Sequence, residues 1–336
     1  MAIGSHRLGT RLAIAGLLAL SLATAARSQS SSPSSSPSSS QSWTEAPYNP
    51  PVGSRWIVTA QSVADEERPD GARQNKTLSR YELTIEEKTA TGYRITYVNR
   101  ALEVDGNAPG LKVVAPAFEA MRGIVVRAST DAGGKPVSID NLDEVRATMR
   151  TVIARIVDRF NDKPQVGQVM RQMMENMFLA DGVAATTAYL ENMPQLAMGQ
   201  NTGLKPGDAR ETVEQTKAPV GNGTIKTNLT TRMVSWNDSD RKVRYAQVRA
   251  MDPQGLRDFL QSFVAQIGDA ASPEFRSPQM QELLKKTDFS IDSTTLIDVE
   301  NGMTRAIDET STTRVSLMGQ TMSKRENRRI TVTPAQ

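Results

Sequence analysis

The chain contains no cysteine, and its only histidine, His6, lies near the N-terminus. If the leader described below is removed, the mature chain has neither. Those absences exclude Ser-His-Asp and Cys-His catalysis, zinc held by His or Cys, and haem or iron–sulfur ligation through those side chains. They also remove the side chain best suited to proton transfer near neutrality. The chemistry left belongs to carboxylates, lysine, tyrosine and serine, or to calcium or magnesium held by carboxylates. Neither a D-x-[DN]-x-[DN]-G calcium loop nor a G-x-x-x-x-G-K-[ST] phosphate cradle occurs. Aromatic residues make up 5% of the chain. Beyond the N-terminal segment no stretch reaches the roughly 20 consecutive apolar residues that would span a bilayer as a helix. No strong excess of positive charge exists either. The formal net charge is +3, and without Arg7 and Arg11 it is +1, so electrostatics give no general case for nucleic acid as a partner.

What is present begins with an address. Arg7 and Arg11 precede the apolar run Leu12 to Ala25, which closes on Ala23-Thr24-Ala25. This is the pattern of a signal peptide over residues 1–25, cleaved near Ala25. No cysteine follows for a thioether-linked lipid anchor. Export without disulfides fits a bacterial periplasmic or secreted protein, because a chain of 336 residues can bury enough core to need no staple. In that compartment the sequons at Asn75, Asn228 and Asn237 are chance matches; a eukaryotic secreted origin would revive them. Ser28 to Ser42 is serine with two prolines and two glutamines, and residues 26–42 are expected to form a disordered tether. Residues 43–336 are expected to form one α+β domain.

Period-two alternation marks strands with one buried and one wet face. It runs through Gly53–Val63 (Trp56, Val58, Ala60), Arg80–Lys88 (Tyr81, Leu83, Ile85) and Gly92–Val104 (Tyr93, Ile95, Tyr97). A brief apolar segment, Val113–Met121, follows, and then a hairpin turns at Asp131–Gly134. Leu142 to Phe160 carries a single apolar stripe at helical spacing. Asp140 or Asn141 stands at its cap, and Asp143 and Glu144 lie in its first turn. Asn161–Pro164 breaks this helix and starts another, which Ala180–Gly182 ends; Val183–Met193 is a weaker third. Strands return at Glu211–Lys217, Gly223–Trp236 and Lys242–Ala250. Helices are expected after Asp252-Pro253 (Leu256, Phe259, Leu260, Phe263, Val264, Ile267) and after Ser277-Pro278. Strands close the chain at Phe289–Val299, Met303–Arg314 and roughly Val315–Thr333, with Asn301-Gly302 as the strongest turn signal. Residues 43–160 and 205–336 thus share an order of elements around a helical insert, 161–204. The fold class expected is α+β: a large twisted antiparallel sheet, open to reading as a half-barrel of two pseudo-repeats, with a helical layer.

The second helix holds the stretch VMRQMMENMF. Val166, Val169, Met170, Met173, Met174 and Met177 fall at i, i+3, i+4, i+7, i+8 and i+11, with Phe178 beside them and polar residues between. This is an amphipathic helix burying one side. Three readings are open. Methionine fills irregular core gaps; it can form a pliable wall around an apolar ligand; or its thioethers can hold Cu(I), though no His or Cys completes that site. Two further features weigh less. Ser239-x-x-Lys242 matches a serine–lysine nucleophile pattern but sits in WNDSDRK, which reads as a hairpin turn. Lys324, Arg325, Arg328 and Arg329 form a basic cluster in which Arg325 and Arg329 share a strand face. It reads as a charged, solvated sheet edge or as a contact for anionic lipid headgroups.

GSRWIVTAQS (Gly53–Ser62) and NGMTRAIDETSTT (Asn301–Thr313) resemble exported bacterial proteins of unassigned function. More distantly, the layout of most of the mature chain is similar to LolA/LppX-type periplasmic carriers. The resemblance implies a curved sheet wrapping helices around a lipid cavity. The function expected first is an exported, non-enzymatic protein that binds a lipid or other amphiphile, with Val166, Val169, Met170, Met173, Met174, Met177 and Phe178 against the ligand. No metal, cofactor or catalytic residue is assigned. The alternatives are a cell-envelope interaction module with a protein partner, and a carboxylate-based hydrolase.

Overall fold

The structure is a computed structural model that describes residues 44–106, 122–161, 164–179, 182–190, 192–217, 224–258, 287–317 and 320–335. The leader, the serine-rich tether, the apolar segment 113–121 and most of the expected helices between 253 and 286 lie outside the described residues.

Among the described residues five strands come first: β1 (Arg55–Arg68), β2 (Gly71–Lys88), β3 (Gly92–Gly106), β4 (Val125–Asp131) and β5 (Pro136–Ile139). The helical section follows, with α1 (Leu142–Val157), a 3₁₀ turn (Asp158–Phe160), α2 (Pro164–Phe178), α3 (Gly182–Tyr189) and α4 (Met193–Ala197). Six strands then close the chain: β6 (Ala209–Lys217), β7 (Thr224–Asn237), β8 (Lys242–Met251), β9 (Asp288–Glu300), β10 (Met303–Leu317) and β11 (Gln320–Pro334). Residues 253–258 add a helical stretch after β8.

The eleven strands among the described residues belong to one open sheet, ordered β5-β4-β3-β2-β1-β11-β10-β9-β8-β7-β6, and every neighbouring pair is antiparallel. The sheet is two up-and-down runs joined where the first strand pairs with the last, from Trp56 opposite Pro334 to Glu67 opposite Ser323. β11 therefore lies mid-sheet, bonded to both β1 and β10, so its basic cluster is not a sheet edge. The α+β expectation of a large antiparallel sheet with helices holds.

Local chemistry sets the turns. Asn301 and Gly302 both have positive φ, 52° and 74°, which gives a tight hairpin the twist its strands need. A Cβ on Gly302 would lie 2.2 Å from the Pro47 carbonyl oxygen, so glycine is also required for close approach. In WNDSDRK, Asn237 Oδ1 accepts hydrogen bonds from the Ser239 amide (3.1 Å) and hydroxyl (2.7 Å). Ser239 thus does turn work, as its setting suggested. The expected cap of α1 is different. Asn141 stands at the cap position, but its side chain makes no capping bond. Its Oδ1 accepts from the Arg127 amide (2.8 Å) and its Nδ2 donates to the Val125 carbonyl (3.0 Å), which ties the helix start to β4.

The inner face of the sheet carries Trp56, Val58, Tyr81, Leu83, Ile85, Tyr93, Ile95, Tyr97, Tyr245, Ile297, Ile307, Ile330 and Val332, all buried in one cluster. α1 adds Val145, Met149, Val152, Ile153 and Ile156, and α3, α4 and the residues around them add Tyr189, Leu190, Met193 and Leu196. The outer face is mixed, with Val125 and Leu296 exposed among polar and charged side chains. It carries Arg244 against Asp298 (2.6 Å), Arg100 against Glu82 (2.7 Å) and Arg329 against Asp308 (3.6 Å).

Residues 44–50 form a strap across one end of the strands. Glu45 Oε1 accepts from the Thr202 amide (2.7 Å), the Thr202 hydroxyl (3.0 Å) and the Tyr245 hydroxyl (3.2 Å), while Oε2 accepts from the Gly203 amide (2.6 Å). Tyr48 is buried edge-on against Tyr93, with ring centroids 5.3 Å apart.

Candidate functional site

α2 is amphipathic as its spacing requires. Gln165, Gln168, Arg171, Gln172 and Asn176 are exposed, whereas Gly167 and Met174 are buried and Met170 and Phe178 are half-buried against the core. Gly167 lets α2 pass close to the end of α1: a Cβ there would lie 3.3 Å from Phe160 and 3.6 Å from Val157. Phe178 packs on Tyr189 of α3, with centroids 6.0 Å apart, and its carbonyl accepts the Tyr189 hydroxyl. Burial pushes that phenol up to about 12, against the opposing pull of Arg146 and Arg150. Of the expected ligand-facing residues, Met170, Met174 and Phe178 thus meet in one region; the side chains of Val166, Val169, Met173 and Met177 lie outside what the structure describes.

Methionine is not confined to α2. Met149 of α1, Met193 of α4, Met233 of β7 and Met303 of β10 join Met174 in the same buried cluster. Part of the core shared by helical layer and sheet is therefore built from unbranched, polarizable side chains that tolerate repacking.

Along the strands the inner face changes character. One row crosses the sheet as Ala60, Ile330, Ile307, Ile297 and Tyr245. The next row is Ser62, Arg328, Glu309, Thr295 and Gln247. After it come Ala64, Glu326, Ser311, Ser293 and Arg249, and then Glu66, Lys324, Thr313 and Ile291. Apolar floor thus gives way, within one residue pair, to hydroxyls and charges, some half-buried and some fully out of water. Glu66 is 2% exposed, Glu309 8% and Lys324 9%.

This band is electrostatically mixed. Arg68 donates to Glu66 Oε2 through Nε (2.8 Å) and Nη2 (2.6 Å), while Glu66 Oε1 finds no partner among the described residues. Lys324 lies 2.9 Å from Glu326. Burial holds the Glu309 carboxyl above the usual carboxylate range, with Arg328 and Arg249 pulling it back and a Ser293 hydrogen bond helping them. Arg328 donates to Asn192 at the start of α4, and Arg249 reaches Glu214 (3.4 Å) and the Met198 sulfur (3.9 Å). The band therefore abuts the helical layer. Among the described residues no group of three His, Cys, Asp or Glu side chains could hold a metal ion.

The basic cluster seen in the sequence is split by the strand: Lys324 and Arg328 join the inner band, and Arg325 and Arg329 project from the outer face. A shallow depression of about 390 Å³ on that outer face is lined by Gln61, Val63, Thr294, Leu296, Asp308 and Arg329, among others.

No family model matches this chain, and no curated protein does. Among solved structures, a lipovitellin studied for its lipid–protein interactions is similar with a TM-score of 0.40 at 9% identity, covering 85% of this chain and 26% of that one. The chain therefore spans about a quarter of the lipovitellin length. DynF of the dynemicin biosynthesis pathway of Micromonospora chersina gives a TM-score of 0.18 at 6% identity, with 90% of this chain and 92% of that one covered. An outer membrane channel from Pseudomonas putida F1 gives 0.19 at 6% identity, with 85% and 97% covered.

Proposed function

We propose that the chain is an exported, non-enzymatic binding protein that holds an amphiphile between its helical layer and the inner face of its sheet. Export to the periplasm or beyond, after cleavage near Ala25, rests on the leader pattern of residues 1–25. The observation that carries the ligand reading is that five buried methionines, from α1, α2, α4, β7 and β10, belong to the core cluster that helices and sheet share. A rigid core is better specified by branched side chains; a core that must open around a hydrocarbon chain is better built from methionine. Along the same face, the band around Glu309, Arg328 and Lys324 supplies hydrogen bonds and charge for a polar head. Each buried methylene of the tail contributes roughly 0.8 kcal/mol.

Protein purified without detergent is expected to release an acyl-chain lipid detectable by mass spectrometry, and the stripped protein to bind a fluorescent fatty acid. Absence of both sinks the proposal.

A further inference from the structure

The two edges of the sheet are built differently. β5 has four residues, includes Pro136 and is flanked by α3, so it offers little to a further strand. β6 has nine residues, no proline and an unbroken register along β7. Ala209 to Gln215 are all exposed, and Val213 is 57% exposed. Such an edge presents a row of backbone donors and acceptors to any strand that fits it.

The side chains specify which strand. Arg210, Thr212 and Glu214 lie on one face of β6, opposite Thr231, Leu229 and Thr227 of β7. Turned antiparallel about Thr212, this triplet is its own complement: Arg210 meets Glu214 of a second copy, Thr212 meets Thr212, and Glu214 meets Arg210. Opposite-charge and Thr–Thr pairs directly across a ladder are favourable, and like charges there are not. Centring on Val213 loses both charge pairs, and centring on Glu214 sets that carboxylate against itself. Glu214 is steadied by Arg249 at 3.4 Å.

We propose that two copies of this chain pair through β6, antiparallel about Thr212, to continue the sheet across a two-fold axis. The inference stands apart from the ligand reading. One strand pair covers less than the roughly 1,000 Å² of a lasting interface, so the dimer is weak and concentration-dependent. Sedimentation of the mature protein from micromolar to near-millimolar concentration is expected to show reversible dimerisation, stronger at low salt. Arg210→Glu and Glu214→Arg are each expected to weaken it about tenfold or more, and the double swap to restore it. In the unaltered protein, amide exchange across 209–215 is expected to slow as concentration rises. A monomer at every concentration, a swap that fails to restore dimerisation, or dimerisation without slowed β6 exchange each overturns the proposal.

Discussion

Glu45→Ala releases the strap that closes one end of the sheet. Its carboxylate accepts four hydrogen bonds, two from backbone amides and two from hydroxyls, at 2.6 to 3.2 Å. A hydrogen bond to a charged group is worth about 1.5–3 kcal/mol net when its partner is stranded. The four share one acceptor group and Glu45 is only half-buried, so their values do not add. The Thr202 and Gly203 amides can turn to water at modest cost. The Tyr245 hydroxyl cannot do so as readily, because its residue is fully buried. The expected loss is about 2–4 kcal/mol in urea unfolding. Glu45→Gln keeps one oxygen but turns an NH₂ toward donors, and is expected to lose about half as much. Amide exchange should locate the change in 44–50, 200–204 and the β2–β3 turn that Tyr48 and Asn49 touch, with the far ends of those strands, Gly71–Ser79 and Leu102–Gly106, unaffected. A loss below about 0.5 kcal/mol for Glu45→Ala, the range of ordinary surface substitutions, refutes the claim that this carboxylate fastens the strap.

Substitutions at three other sites probe the polar band, the hairpin and the core. Glu309 holds its proton more tightly folded than unfolded, so the stability it contributes is full below the ordinary carboxylate range and falls as pH rises through its folded value. Glu309→Gln is therefore expected to raise the melting temperature at pH 7 and to leave it unchanged near about pH 4; equal effects at both count against a costly buried carboxylate. Gly302→Ala meets a left-handed backbone and the Pro47 oxygen together, and is expected to cost about 2–4 kcal/mol while loosening the strap in exchange experiments. Met149→Ala, at a site with no exposure, is expected to cost about 2–4 kcal/mol in thermal unfolding, and Met149→Leu less than about 1.5.

How much of this was legible follows from where apolar alternation runs. In β1 it is read from Trp56 to Ala60, and the expected strand ends at Val63; the actual strand continues to Arg68, with Glu66 inward. In β2 the alternation starts at Tyr81, whereas the strand begins at Gly71 and turns Asn75 and Ser79 inward. β10 reads inward as Ile307, then Glu309, Ser311 and Thr313. The halves that escape period-two reading are those that build the polar band, because a strand polar on both faces has no period to detect. Glu309 and Gln247 were missed for that reason. Strand alternation already sets Arg325 and Arg329 on one face and Lys324 and Arg328 on the other; that the second pair faces inward is fixed only by the helices packed on that side. The pairing of β1 with β11 was out of reach, since no local pattern joins residues so far apart in the chain. The spacing predicts a third helix over Val183–Met193, yet α3 stops at Tyr189 and α4 restarts at Met193, with Pro194 in its first turn.

The ligand claim is tested most directly by unfolding the delipidated mature protein in denaturant while titrating a long-chain fatty acid. A site confined to the folded state gains about 2.7 kcal/mol at a hundredfold excess over its dissociation constant, and slowed exchange in α1 and α2 should accompany the gain. Stability and exchange that stay flat across the titration would contradict a carrier built on the buried methionines.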